Sequence, residues 1–269
     1  MNHYEFIASI GENCACAELL NKLSLRQESS PFDWIRGSSL SQRIQLILND
    51  FSNFLNEKYL TKIETNNPKE EHDMYRHQLY GTEFLHDFPK NIELKNTLPI
   101  VQHKYNRRIF RFQRHLCQEK VLLVFISKHA HSETFLISSV ESLNQKYPNA
   151  EISLLYIEHN PKLAMTKTIE KVFKKRIYYV QLNNSPVDSS TDFLILQGNI
   201  PLVNDVICRY SMGISYKEYR LILDSIKYKI LRALAQFCSC FIPFQKHRKK
   251  MRQFLFKQSF NYMVDSLNN

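Results

Sequence analysis

The chain has 269 residues and 43% hydrophobic content, enough to bury the core of one sizeable domain. Its net charge of +10 is uneven: residues 225–269 contain nine Lys or Arg residues and one Asp, so residues 1–224 carry only +2. This nearly neutral body, without a recognisable nucleic-acid-binding module, argues against nucleic acid as a partner.

Targeting signals and cysteine usage indicate the compartment. Residues 1–20 lack the charged and apolar regions of a secretory leader, and no apolar run reaches about 18 residues. Six cysteines are scattered along the chain without the C-x-x-C spacing of zinc or thioredoxin sites. We therefore expect a cytoplasmic protein with reduced thiols.

Short apolar runs and amphipathic segments alternate along the chain. The apolar runs predict buried strands over residues 4–10, 120–127, 151–158, 176–182 and 192–197. Helical spacing predicts helices over residues 16–23, 132–147 and 163–175. This alternation predicts an α/β fold with three layers, Rossmann-like or SGNH-like, in which helices cover both faces of a parallel sheet.

An insertion follows the first strand and helix. Residues 38–60 are strongly amphipathic, while segments 61–78 and 88–99 are typical of surface loops or irregular structure. We expect a helical or irregular insertion over about residues 38–100 of an α/β domain that spans residues 1–224. Residues 225–269 are predicted to form a basic amphipathic helical tail.

The stretch SIGENCACAEL places Cys14 where the first strand turns into a helix. Gly11 permits a tight exit from the strand, while free N–H groups and the helix dipole would lower the thiol pKa and stabilise an oxyanion. We expect Ser9, Gly11 and Asn13 beside a substrate. Cys14 is a candidate nucleophile, and a small buried apolar residue is the alternative.

The first block of the chain, SIGENCACAELLNKLSLRQESSPFDWI, contains the pattern S-x-G-x-x-C-x-x-A, then Leu-Arg, then S-x-PFDW, with Ser30 directly before PFDW. It resembles a bacterial and viral family of proposed papain-like cysteine peptidases. Two later stretches are also similar to that family: FLHDF, with His86 and Asp87, and YNRRIFRFQRHL, with Arg108 and Arg111. Together these stretches cover most of residues 4–160.

The resemblance implies thiolate-based acyl transfer with Cys14 as nucleophile, His86 as its base, and Asp33 or Asp87 as the group that orients the base. The turn is also similar to that of WcbI-type capsule acyltransferases, which have an SGNH-hydrolase-like α/β fold. The implied substrate is a peptide, a glycan or a small molecule. No cofactor is expected, although acyl-CoA is a candidate co-substrate.

Two other histidines compete with His86. His129 and His131 follow directly on the second long strand, so the topology of a parallel sheet places them at the same carboxyl edge as Cys14. The resemblance favours His86 and the topology favours the other two. Histidines at H-x-x-x-H spacing near carboxylates are absent from the sequence, so no metal site is expected.

Charged residues in two motifs need partners. Arg108, Arg111 and Arg114 recur at helical spacing, and we expect Arg111 to hold a carboxylate or phosphate of the substrate; a solvated helical face is the alternative. Asp33 lies between two aromatic residues, so its burial requires a hydrogen-bonding partner, either a site histidine or the backbone of the turn at residues 11–14.

Motifs of other enzyme classes are absent from the sequence. The chain has five glycines and neither a G-x-G-x-x-G nor a Walker pattern, which argues against a nucleotide-binding loop, and no G-x-S-x-G elbow occurs. Gly198 and Asn199 are expected to form a plain turn.

The segment from residue 228 to residue 256 carries apolar residues on one helical face before Pro243 and a dense basic run after it. This pattern is typical of peripheral contact with an anionic membrane surface, such as the inner membrane, and it fits a docked C-terminal helix with a basic exposed face equally well.

The sequence thus predicts a cysteine-nucleophile hydrolase or acyltransferase, with surface-polysaccharide biosynthesis as the expected process. The competing hypothesis is a non-catalytic module that binds an anionic or lipid-linked glycan intermediate, or a partner enzyme, with Cys14 as a structural residue.

Overall fold

The computed structural model describes residues 4–64, 71–185 and 198–240. The chain divides into two compact units, residues 1–212 and 213–269. The described strands of the first unit are β1 (Phe6–Ser9), β2 (Ile35–Arg36), β3 (Leu60–Ile63), β4 (His72–His77), β5 (Glu83–Pro89), β6 (Lys120–Ser127), β7 (Glu151–His159), β8 (Thr168–Phe173) and β9 (Ile177–Leu182). Its described helices are α1 (Cys14–Lys22), α2 (Leu40–Leu48), α3 (Leu94–Gln118), α4 (Glu133–Lys146) and α5 (Ile200–Met212), with a 3-10 turn at Glu57–Tyr59.

Five strands form the main sheet in the order β1-β6-β7-β9-β8. β1, β6, β7 and β9 are parallel, while β8 runs antiparallel to β9 at the edge. The four predicted strands that fall in the described residues are confirmed, and β6 has the predicted bounds. The strand predicted over residues 192–197 lies outside the described residues.

Helices cover both faces of the main sheet, as predicted. In β6, Val121, Leu123 and Phe125 are buried in one cluster with side chains of α2, α3 and α4, while Leu122 and Val124 point to the other face and are equally buried. The buried side chains of α1 and α5 lie outside that cluster, and these helices contact β1, β6 and β9. Burial on both faces explains why the parallel strands are almost continuously apolar.

The prediction of a helix over residues 163–175 is wrong, because this segment contains the edge strand β8. Ile169, Val172 and Phe173 have the i, i+3, i+4 spacing of a helical face, yet β-branched and aromatic residues also favour strands. Lys174 and Lys175 both have positive φ, which turns the chain directly into β9. Most of β8 is solvent-exposed, as is usual for an edge strand.

The insertion after α1 contains a second sheet, so the prediction of a helical or irregular insertion is wrong for much of its length. β2, β5, β4 and β3 form a four-stranded antiparallel sheet in that order. The amphipathic helix is confirmed as α2, but it ends at Leu48 because Asp50 and Phe51 have positive φ. β3 and β4 contain many polar residues because one face of this sheet is exposed to solvent, so their sequences are typical of loops.

Helix α3 begins inside the segment 88–99, which the sequence suggested to be irregular. Pro99 lies in its second turn, although a proline in a sequence usually indicates the start or the end of a helix. Leu98, Tyr105 and Phe112 are buried on its inner face. The predicted helical spacing of the arginines at 108, 111 and 114 is confirmed.

The described part of the second unit contains α6 (Tyr216–Cys240). Position 224, where the sequence predicts a domain boundary, lies within this helix. Exposed apolar side chains recur every four residues along it, at Ile222, Ile226, Ile230 and Leu234. The basic run after residue 240 lies outside the described residues. Among the helices of the described ranges, none is both long and apolar enough to cross a membrane.

Candidate active site

Cys14 is the first residue of α1, at the carboxyl end of β1. Asn13 caps the helix: its backbone is extended, and its side-chain oxygen accepts a hydrogen bond from the Ala15 N–H at 2.9 Å. The Cys14 N–H lies close to the Cys14 sulfur. The strand-turn-helix geometry is as predicted, although the cap occupies one of the amides that we expected to be free.

Gly11 is required in this turn by the close approach of Cys16. A Cβ atom at Gly11 would lie 2.7 Å from the Cβ atom of Cys16. The Ser9 hydroxyl accepts a hydrogen bond from the Gly11 N–H at 3.2 Å. Ser9 and Gly11 are both buried, and they hold α1 against β1. Of the three turn residues that we expected beside a substrate, Asn13 is the one that lines an open cleft.

Burial raises the pKa of the half-buried Cys14 thiol above its ordinary value. The Cys14 N–H and the Arg36 guanidinium act in the opposite direction, and the Glu18 carboxylate adds to the increase. The prediction that the helix terminus lowers the thiol pKa is therefore wrong in its net direction, because burial outweighs the N–H and the guanidinium. The resting thiol is protonated at neutral pH, so a base must take its proton before it attacks a carbonyl.

A cleft of about 480 Å³ opens beside this turn. Three segments form its walls: the turn between β1 and α1, the stretch from β2 into α2, and the loop between β6 and α4. The lining residues are Glu12, Asn13, Arg36, Gly37, Ser38, Ser39, Gln42, Lys128, His129 and His131. Because β1 and β6 are parallel neighbours, the cleft lies at the carboxyl edge of the main sheet, where open α/β sheets bind ligands.

Ser127 joins the ends of β1 and β6 beside the cleft. Its hydroxyl donates a 2.5 Å hydrogen bond to Oε1 of Glu12 and accepts the His129 N–H at 2.9 Å. The Tyr156 hydroxyl donates to the backbone carbonyl of His129. These bonds fix the backbone of the loop that carries both cleft histidines.

The His131 ring packs against two aromatic side chains, with centroid distances of 4.7 Å to Phe135 and 5.5 Å to Tyr156. Burial lowers the pKa of the His131 imidazole below its ordinary value, and the Glu12 carboxylate partly offsets this. The imidazole is therefore neutral near pH 7 and able to accept a proton.

His86 lies on the second sheet, in β5, and its side chain is exposed. Its ring neighbours are Trp34 at 6.4 Å and His72 at 6.3 Å between centroids. The residues that line the cleft include His129 and His131 but not His86. Cys14 itself is also outside the lining residues and adjoins the cleft through its neighbour Asn13.

Asp33 is buried and bonded within its own motif. Its Oδ1 atom accepts a hydrogen bond from the Ser30 hydroxyl at 2.7 Å, while Oδ2 accepts from the Ser30 N–H at 3.0 Å and from Arg26 Nη1 at 3.1 Å. The Ser30 hydroxyl also lies 3.3 Å from the carbonyl oxygen of Ser9. The structure therefore brings Asp33 together with Ser30 and Arg26 rather than with an imidazole, and the motif stabilises the end of β1.

Arg111 lies on α3 and contacts Glu28 and Ser29, which directly precede the Ser30-PFDW motif. Its Nε atom is 2.9 Å from Oε2 of Glu28, and its Nη2 atom donates to the Ser29 carbonyl at 3.4 Å. Arg111 is not among the lining residues of the cleft. These contacts join α3 to the loop at Glu28 and Ser29.

Asp87, the other candidate to orient a base, faces α3. It accepts a hydrogen bond from the Tyr105 hydroxyl at 2.8 Å and forms an ion pair with Lys104. The structure therefore joins β5 to α3 through Asp87, and within the described ranges it places neither of the two predicted carboxylates in a hydrogen bond or ion pair with a histidine.

Sequence reasoning missed Glu12 and Arg36. Glu12 occupies a variable position of the S-x-G-x-x-C pattern, and its place in the turn was the available signal. Arg36 comes to the cleft through the pairing of β2 with β5, where its Nε atom is held 2.7 Å from Oε2 of Glu83. Because the second sheet was not predicted, no sequence signal pointed to Arg36.

The fold and the cleft together define an α/β protein with a cysteine at a strand-to-helix turn and two histidines at the same sheet edge. Residues 5–161 match the family described as "Putative papain-like cysteine peptidase (DUF1796)", and the chain belongs to this family. The chain is also similar to "Uncharacterized protein R408" of Acanthamoeba polyphaga mimivirus, with 29% identity over 195 residues that make up 65% of this chain and 86% of that protein.

The family match confirms the first resemblance. The matched region contains every residue that lines the cleft, so the family pattern and the cleft geometry concern the same part of the chain. Neither comparison shows the resemblance to WcbI-type acyltransferases.

Proposed function

We propose that the chain is a cysteine peptidase-type hydrolase in which Cys14 is the nucleophile. The position of Cys14 supports this most: the residue opens α1 directly after Asn13, which lines the cleft together with His129 and His131. The family to which the chain belongs supports the same chemistry.

We assign the role of base to His131. Its imidazole is half-buried and neutral, and the Glu12 carboxylate favours the imidazolium that forms when it accepts a proton. His129 is more exposed and is the alternative base at the same cleft. In this assignment Asp33 stabilises the turn and takes no part in proton transfer.

The reaction proceeds in two steps. The imidazole takes the thiol proton as the sulfur forms a bond to the carbonyl carbon, and the Cys14 N–H with the positive end of α1 stabilises the oxyanion. The carbon-nitrogen bond then breaks, and the leaving amine takes the proton from the imidazolium. Water attacks the resulting thioester with the imidazole as base, which releases a carboxylic acid and restores the thiol.

An acyltransferase would form the same thioester but pass the acyl group to an acceptor hydroxyl. Acyl-CoA would then be the donor, and a glycan acceptor would connect the protein to polysaccharide biosynthesis. Product analysis separates the two activities, because only the hydrolase gives a free acid in the absence of an acceptor.

A non-catalytic binding module is the competing function, and the raised pKa of the Cys14 thiol favours it. In that case Cys14 only packs the turn, and the cleft binds a glycan intermediate or a partner enzyme. The thiol would then show no reactivity beyond that of an ordinary cysteine.

A peptide-based epoxide tests the proposal, because opening the ring requires both a positioned thiolate and a proton donor. We expect mapping to show modification of Cys14, and Cys14→Ser to abolish it. Cys117→Ser is the matched control, since Cys117 is an exposed free cysteine on α3. Modification of Cys117 alone would support the binding module.

A further inference from the structure

The cleft beside Cys14 has a small excess of positive charge. Arg36 and Lys128 line it, and Glu12 is the carboxylate among its lining residues. The Glu12 carboxylate accepts a hydrogen bond from the Ser127 hydroxyl. The Glu83 carboxylate forms ion pairs with Arg36 and with Arg76. When Glu83 is counted with both of its partners, the three cations Arg36, Lys128 and Arg76 face the two carboxylates of Glu12 and Glu83.

Two helices begin at this cleft. Asn13 is the N-cap of α1 and Ser39 is the N-cap of α2, and both residues line it. Each helix has nine residues, so each contributes the partial positive charge of its first turn. The two helix termini add to the field of the side-chain cations.

Buried polar groups beneath the cleft lack partners. Ser38 lines the cleft with 0% of its surface exposed, and its hydroxyl has no hydrogen-bond partner among the described residues. Arg43 is also 0% exposed; its Nε atom donates to the Ser38 carbonyl at 3.3 Å, and its guanidinium carbon lies 5.3 Å from the centroid of the Phe32 ring. Its Nη1 and Nη2 atoms have no hydrogen-bond partner in the described part of the chain. Buried donors of this kind are expected to meet an acceptor, which is a signal independent of the helix termini.

We infer that the cleft binds a carboxylate group of the substrate next to the acyl group that Cys14 attacks. The inference rests on the proposed function of Cys14 and adds the substrate class: peptides or amides with an acidic group beside the scissile bond. Arg36, Lys128 and the Ser38 hydroxyl are the groups that would recognise it. In this inference the residues of the cleft bind the substrate anion, a role that the sequence suggested for Arg111.

Paired alkylating reagents test this inference. Iodoacetate carries a carboxylate and iodoacetamide does not, so the ratio of their rates at one thiol cancels the thiolate fraction. We expect this ratio at Cys14 to exceed the ratio at Cys117 of the same protein by at least about tenfold, because charge-assisted hydrogen bonds favour the carboxylate. Lys128→Gln should lower the Cys14 ratio, whereas Lys90→Gln, an exposed lysine outside the cleft, should leave it unchanged.

The outcomes separate the two proposals. If iodoacetamide modifies Cys14 and the ratio equals that of Cys117, the carboxylate inference is wrong and the nucleophile remains. If neither reagent modifies Cys14, the proposed function fails. The carboxylate inference is then tested by a thermal-shift measurement that compares the stabilisation of the Cys14→Ser protein by sodium acetate with its stabilisation by sodium chloride. A stabilisation that Lys128→Gln removes supports it, and equal stabilisation by both salts overturns it.

Matched peptides identify the source of the carboxylate. A Glu and Gln pair tests an acidic side chain, and a free-acid and amide pair tests a peptide terminus. We expect one charged member to be cleaved at least about tenfold faster than its neutral partner. Equal rates in both pairs would contradict the inference.

Discussion

A Cβ atom at Gly11 would lie 2.7 Å from the Cβ atom of Cys16, so the path from β1 into α1 exists only because residue 11 has no side chain. This contact determines where α1 begins, and therefore where Cys14 lies relative to the cleft.

Gly11→Ala should lower the free energy of unfolding by about 1–3 kcal/mol, because overpacking forces the helix away from the strand. Denaturant unfolding measures the loss. Cys16→Gly removes the colliding atom, so the double variant should lose less than the sum of the two single variants. Strict additivity would show that the contact does not determine the turn.

The pH dependence of Cys14 alkylation follows from its raised pKa. Only the thiolate reacts, and a raised pKa moves thiolate formation to higher pH, so the rate with iodoacetamide should still increase above about pH 9. Arg36→Gln should move the curve further upward, because the guanidinium lowers the thiol pKa. A plateau reached by about pH 8 would contradict the assigned burial of the thiol.

The identity of the base is decided by two matched substitutions. His131→Gln should reduce kcat/KM for acyl transfer about 10²–10⁴-fold, the usual contribution of a general base. His86→Gln should leave it nearly unchanged, because His86 lies among Trp34 and His72 on the second sheet. A larger loss of kcat/KM in His86→Gln than in His131→Gln would identify His86 as the base, as the family resemblance suggests.

Part of the fold could be predicted because of how its strands are buried. β6 and β7 are covered on both faces, which gives runs of eight and nine residues rich in β-branched and aromatic side chains, as is typical of buried parallel strands. β8 could not be predicted, since Ile169, Val172 and Phe173 fit a helix and a strand equally well. The choice between them depends on the hydrogen bonds of β8 to β9, which no local pattern contains.

The site was predictable only where topology determines position. The place of Cys14 at the start of α1 follows from the strand-turn-helix pattern, and the place of His129 and His131 at the cleft follows from the rule that neighbouring parallel strands end at one edge. Asp33 was correctly expected to need a partner, but its bonds to Ser30 and Arg26 depend on how the turn closes. Arginine usually lies on the exposed face of a helix, yet Arg43 is buried against the Ser38 carbonyl and the Phe32 ring, contacts that no local pattern contains.

The association of residues 225–269 with anionic membranes stays a prediction. The four-residue repeat of exposed Ile222, Ile226 and Ile230 on α6 supports it, together with the net charge of +8 in that segment. The chain should float with vesicles that contain phosphatidylserine and not with phosphatidylcholine alone. Ile226→Glu should weaken flotation, while Ile169→Glu on β8 should not; equal flotation of all variants would exclude the α6 face.

The central claim is that Cys14 forms a thioester with the substrate. Intact mass spectrometry of protein mixed with an activated peptide ester tests it most directly. The account predicts one acyl adduct that maps to Cys14, disappears in Cys14→Ser, persists in Cys117→Ser and forms slowly in His131→Gln. A folded protein that acquires no adduct at Cys14, or acquires it at the same rate without His131, would contradict the account.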